Sequence, residues 1–176
     1  MSQLASAHGR PGMRRKGAGS LAPARRAAAE RRTSGDPGNG AHELRLRHVS
    51  GRPLRILIVE DDPLVAAVIQ DIVRDAGGAV AGTNTSALAA VGAAAVLAPD
   101  VVIMDVRLGG PMDGIEAAGI IRARRNTPIV IITGEVEESE LSARLATLEG
   151  VEAVLKPLYA RTLCGAILRA YQRSAL

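Results

Sequence analysis

From Leu54 onward, short unbroken apolar runs alternate with longer stretches in which apolar residues recur every three or four positions. The runs are RILIV (55–59), VVIM (101–104), PIVII (128–132) and EAVL (152–155), with a weaker one near Ala79 to Gly82. Near-continuous apolarity suits strands covered on both faces of a parallel sheet, since alternation is expected only where one face meets water. Between the runs, Leu64, Val65, Val68, Ile69, Ile72 and Val73 keep helical spacing until Gly77-Gly78. Leu141, Leu145 and Leu148 form a second stripe ending at Gly150, and Leu163, Ile167 and Ala170 a third. Strand and helix alternating in this way predict right-handed crossovers and an α/β fold: a doubly wound, five-stranded parallel sheet with helices on both faces.

Composition narrows what such a fold can do. The chain has 176 residues, about one domain, and 47% hydrophobic content supplies a core. With no Phe or Trp, and Tyr159 and Tyr171 as the two tyrosines, that core is aliphatic and offers no platform for stacking bases or sugars. The single Cys164 has no disulfide partner in the chain, which fits a reducing, cytoplasmic setting.

The formal charge of +4 hides a division. Residues 1–53 hold 11 Lys+Arg and 3 Asp+Glu, giving +8, whereas residues 54–176 hold 11 and 15, giving −4. The first segment is rich in Gly, Ala, Ser, Pro and Arg without sustained periodicity, so it reads as a disordered basic leader, or as the product of a mis-called start, preceding a folded domain over 54–176. It lacks the apolar stretch of a signal peptide. As an arm it could touch nucleic acid or an anionic surface, although without aromatic residues or a helix-turn-helix pattern sequence-specific reading is not expected. Ala76 to Pro99 is 24 residues without a formal charge, yet it is mostly Ala and Gly with Thr83, Asn84, Thr85 and Ser86 inside, too weakly apolar for a membrane span.

In doubly wound sheets ligands bind beyond the carboxyl ends of the strands. The residues at the carboxyl end of each run are therefore informative: Glu60, Asp61 and Asp62 after the first, Asp105 after VVIM, Thr133 after PIVII and Lys156 after EAVL. Clustered carboxylates repel and raise one another's pKa unless a cation neutralises them. Asp62 precedes Pro63 and suits a helix N-cap. Glu60, Asp61 and Asp105 remain as hard oxygen donors, for which Mg²⁺ is the favoured ion. Lys156 is the one lysine from 54 on, a point-like cation among arginines.

Together ILIVEDD, DVVIMDVRLGGPMDGIEAA, PIVIITGE and AVLKPL resemble the receiver domain of two-component response regulators over about 54–174. The resemblance implies a flavodoxin-like fold of strand order 2-1-3-4-5 and an aspartate phosphorylated by a histidine kinase or phosphotransfer protein. It makes Asp105 the phospho-acceptor, Glu60 and Asp61 the Mg²⁺-binding acids with Asp105 and the backbone carbonyl of Arg107, Thr133 the switch hydroxyl and Lys156 the phosphate-pairing lysine, with a cis peptide before Pro157. The face of the fourth helix, fifth strand and fifth helix becomes the signalling surface toward a downstream protein target. The protein would accept and slowly lose a phosphoryl group rather than turn over as an enzyme, as a monomer or weak phosphorylation-dependent dimer. No histidine occurs from 54 on, so the donor must be another molecule.

Some residues depart from the family pattern. RLGGPMDG places Asp113-Gly114 one residue farther from Asp105 than the commonest spacing, Ala153 stands where an aromatic switch residue is usual, and Gly134 leaves space beside the acceptor. Arg107 and Glu135 could pair across the site mouth; Asp113 is read as a helix cap and Met112 as packing. A Mg²⁺-dependent phosphatase of related topology would carry a second acid two residues after Asp105, where Arg107 stands.

Overall fold

The computed structural model describes residues 44–134, 143–148 and 150–174. Its elements are β1 (Arg55–Val59), α1 (Pro63–Asp75), β2 (Ala79–Asn84), α2 (Ala87–Leu97), β3 (Val101–Asp105), α3 (Gly114–Arg125), β4 (Ile129–Thr133), β5 (Val151–Leu155) and α4 (Ala160–Ser174). The strands form one parallel sheet in the order β2-β1-β3-β4-β5. The leucine stripe after β4 is described only from 143, where Leu145 and Leu148 pack against the core; Leu141 and Glu135 lie outside the described residues.

Successive strand residues point to opposite faces, which divides the core into two layers. Leu57, Val59, Val102, Met104, Ile129 and Ile131 meet α2 and α3. Ile56, Ile58, Val101, Ile103, Val130 and Ile132 meet α1 and α4. The central strands are thus buried on both sides, the physical reason their sequences run apolar without alternation.

Two sequence readings are corrected. Leu64 and Val68, taken as part of the inward stripe of α1, are 77% and 49% exposed; Ala66, Ile69 and Val73 are the residues that α1 buries. The folded unit also begins before Leu54. Leu46 is fully buried in the α1–α4 layer, its N–H donating to Ala76 O (3.0 Å) and its carbonyl accepting from Leu54 (2.9 Å). Arg47 and Pro53 make an antiparallel bridge, and Arg52 grips Asp100 with both terminal nitrogens (2.6 and 2.8 Å). The stretch LRLR alternates leucine with arginine, so its charge disguised a two-residue apolar edge.

Candidate functional site

The strand registers bring the chemistry to one edge. Val59 is level with Met104, Asp105 with Ile132, and Thr133 with Leu155, so Glu60, Asp105, Thr133 and Lys156 all stand at the carboxyl end of the sheet. Each of the three acids after β1 has its own role. Glu60 continues the strand, its N–H donating to Asn84 O (3.0 Å), and its carboxylate turns inward to 1% exposure. Asp61 is exposed. Asp62 caps α1, accepting from the Leu64 and Val65 N–H groups (2.8 and 3.3 Å), as its place before Pro63 predicts.

Glu60, Asp61 and Asp105 each offer a carboxylate oxygen within 4.8 Å of the others. The Lys156 ammonium forks between Glu60 Oε2 (2.9 Å) and Asp105 Oδ2 (3.2 Å). Burial, reinforced by the charge of Asp105, raises the Glu60 pKa above its usual value against the opposing bond from Lys156. Burial by itself would lower Lys156, but its hydrogen bonds to Glu60 and Asp105 outweigh that and hold the ammonium above its usual value. The result is a buried carboxylate pair bridged by one cation, with a third carboxylate open to water. Hard oxygen donors with an open side fit a divalent ion such as Mg²⁺.

Around this cluster, Thr133 is fully buried and its hydroxyl donates to Gly134 O (3.3 Å), while Lys156 N–H donates to Thr133 O (2.8 Å). The Lys156-Pro157 peptide is cis. Arg107 is exposed on the loop after β3. That loop is drawn back onto its own strand: Gly114 N–H donates to Val106 O (3.1 Å), and a Cβ on Gly114 would lie 1.9 Å from the Asp105 carbonyl oxygen. Asp113 caps α3 in a reciprocal box with Glu116, and Met112 packs on the α2–α3 layer, as their positions predict. Arg144 pairs with Asp113 (2.5 Å), tying the segment after β4 to the loop after β3. Ala153 is exposed on β5, next to an exposed Leu155.

One feature beside the site is only faintly marked in the sequence pattern. Leu64, Val65 and Val68 of α1 form, with Lys156, Pro157 and Leu158, an open apolar groove of about 280 Å³ at the edge of the acid cluster. Its sequence signal is the offset of Leu64 and Val68 from the Ile69–Val73 stripe.

The strand order and the convergence of acids, hydroxyl and lysine at its carboxyl edge define the flavodoxin-like receiver fold of two-component signalling. The response regulator receiver domain matches residues 56–168, and the chain belongs to that family. It is 33% identical over 121 residues to the transcriptional regulatory protein PdtaR of Mycobacterium tuberculosis, covering 69% of this chain and 58% of that one. With the DNA-binding response regulator MtrA of Mycolicibacterium smegmatis it shares 32% identity over 122 residues, 68% of this chain and 51% of that one. The match therefore spans little more than half the length of either regulator. Among solved structures, the signal receiver domain of a modulated diguanylate cyclase from Desulfovibrio desulfuricans superposes with a TM-score of 0.64 at 30% identity, covering 70% of this chain and 97% of that one.

Proposed function

We propose that Asp105 accepts a phosphoryl group from a histidine kinase or phosphotransfer protein and that the modified domain then changes its grip on a downstream protein. The observation that carries this reading is the Lys156 fork: one ammonium bridges buried Glu60 and Asp105 while Asp61 stays open to solvent. Asp105 has one carboxylate oxygen to form the new O–P bond as the donor's N–P bond breaks and its imidazole is released. Lys156 is within reach to exchange Glu60 for a phosphoryl oxygen, and Thr133 needs only to turn its hydroxyl from Gly134 O to donate to another. Glu60, Asp61, Asp105 and the Arg107 carbonyl would hold Mg²⁺, which when bound supplies positive charge to the phosphoryl oxygens. The groove of Leu64, Val65 and Val68 lies where a donor helix would rest while presenting its histidine. No residue of the cluster serves to regenerate the donor, so we read the domain as a switch that is slowly reset rather than a turnover enzyme.

Incubating the chain with Mg²⁺ and acetyl phosphate or a phosphorylated histidine kinase tests this. An acyl phosphate labile to hydroxylamine is expected, absent from Asp105→Asn and abolished by chelating the metal. Labelling of Asp105→Asn equal to the parent rules the assignment out.

A further inference from the structure

Helix α2 reads ALAAVGAAAVL and has no polar side chain on any face. A helix apolar all round belongs in an interior. Yet among the described residues α2 is covered on one side only: Ala87, Ala90, Val91 and Ala94 face the core, whereas Leu88 is 66% and Val96 84% exposed. Leu88, Ala89, Gly92, Ala95 and Val96 share the outward arc, with Gly92 at its centre.

Gly92 gives the arc its meaning. Its φ is not positive, and among the described residues nothing lies within 4 Å of the place a Cβ would take. Neither the backbone nor the surrounding packing requires glycine there, although glycine weakens a helix interior. A missing side chain in the middle of an exposed apolar arc allows a second backbone to approach closely.

We propose that α2 is the seam of a homodimer, two copies packing antiparallel across a two-fold axis at Gly92. The sequence reads almost alike in both directions from that residue: Ala90 answers Ala94, Ala89 answers Ala95, and Leu88 answers Val96. A two-fold contact needs that property, since residue i must meet j while j meets i. Charge selects the same occupant and direction. Helix α2 itself, Ala87–Leu97, has no formal charge, and the guanidinium groups of Arg45 and Arg47 reach Gly77 before β2, so a second copy of this helix face loses no ionic hydration against it. Charges beside it belong to α3, which comes after a parallel strand as α2 does and runs the same way: Glu116 in its first turn, and in its last Arg124 and Arg125, which line a cleft with Val91, Ala94 and Ala95. A parallel pair sets basic ends level with basic ends. An antiparallel pair sets each acidic end level with the partner's basic end. The seam uses no residue of the acid cluster, so it stands independently of the phosphoryl chemistry.

Sedimentation velocity of the full chain, from micromolar to submillimolar concentration and without a phosphodonor, is the test. A concentration-dependent dimer is expected. Gly92→Leu, a better helix former, should melt no lower than the parent yet associate at least about tenfold more weakly. Leu88→Glu and Val96→Lys should each be monomeric alone, and mixing them should restore a heterodimer, because antiparallel pairing sets position 88 against 96 of the other copy. A parent that is monomeric throughout overturns the proposal, as does a Gly92→Leu dimer as tight as the parent's or a mixture that stays monomeric. Flotation with neutral phosphatidylcholine vesicles covers the other occupant: flotation lost in Gly92→Leu, from a parent that sediments as a monomer, also overturns it.

Discussion

At the scale of single residues, the site depends on side chains that are absent as much as on those present. Gly114 has no Cβ because the Asp105 carbonyl oxygen occupies its place, at 1.9 Å. Gly114→Ala must therefore push the start of α3 off β3; we expect a loss of about 1–3 kcal/mol, the usual overpacking cost, read as a lower urea midpoint. Phosphorylation should fall even at temperatures where the variant is fully folded, because the displaced loop carries Arg107. The acids invite a second measurement. Calorimetric titration should find Mg²⁺ bound with an affinity on the order of millimolar, since few protein ligands are offered, and Glu60→Gln with Asp61→Asn should abolish it. Undiminished binding by that double variant refutes the ligand set. Glu60, Asp105, Thr133 and Lys156 were legible because each stands directly at the end of an apolar run, and strand ends are where such sheets place ligands. The Gly114 approach was not, because one glycine after an aspartate reads equally well as an ordinary helix start.

At the scale of elements, caps do much of the positioning. Helix α2 ends on Ala98 in the left-handed region (φ 46°), immediately before Pro99. An L-residue with a Cβ is strained there by roughly 1–2 kcal/mol, which glycine avoids at some cost in unfolded-chain entropy. Ala98→Gly should thus raise the melting temperature by a few degrees, and an unchanged or lower value contradicts the strain. Helix α3 is capped by Asp113, whose carboxyl is itself disfavoured by burial, but bonds from the Glu116 N–H and Arg144 prevail and hold its pKa below the usual 3.8. A depressed carboxylate stabilises the fold at all pH above its unfolded value, and this contribution disappears as the pH falls through the folded one. Asp113→Asn keeps a capping oxygen but loses the ion pair. It should be less stable than the parent at pH 7, and the gap between their urea midpoints should close below about pH 4. A gap independent of pH would falsify the charge argument. Helices α1 and α4 were readable as stripes, whereas α2 has no stripe to read: its inner and outer faces are both apolar, so the segment showed in the sequence only as an uncharged run and not as a helix.

At the scale of the whole molecule, the sheet order and two-layered core were legible because the central strands are apolar enough to demand cover on both faces. The start of the folded unit was not, because Arg45, Arg47 and Arg52 gave Leu44 and Leu46 the look of a basic leader. A chain starting at 44 should melt higher than one starting at 54, by more than about 5 °C, since the shorter one loses buried Leu46 and the Arg52 clasp on Asp100. Leu46→Ala alone should cost about 2–5 kcal/mol in urea titration. Equal melting of the two chains contradicts the packing of this hairpin. The same hairpin touches the far end of the fold: the His48 ring lies 5.7 Å from that of Tyr171, whose hydroxyl accepts from Val49 N–H (3.3 Å). Residues some 120 positions apart thus meet at the amino pole of the sheet, opposite Asp105. A unit entered and left at one pole can be spliced into a host, or have its ends joined, without strain reaching the other pole. Linking 174 to 44 through a short Gly-Ser bridge and reopening the chain between exposed Gly109 and Gly110 should give a permuted protein with the parent's circular dichroism spectrum. An unfolded permutant would show that the order of the elements along the chain, and not only their arrangement in space, is required.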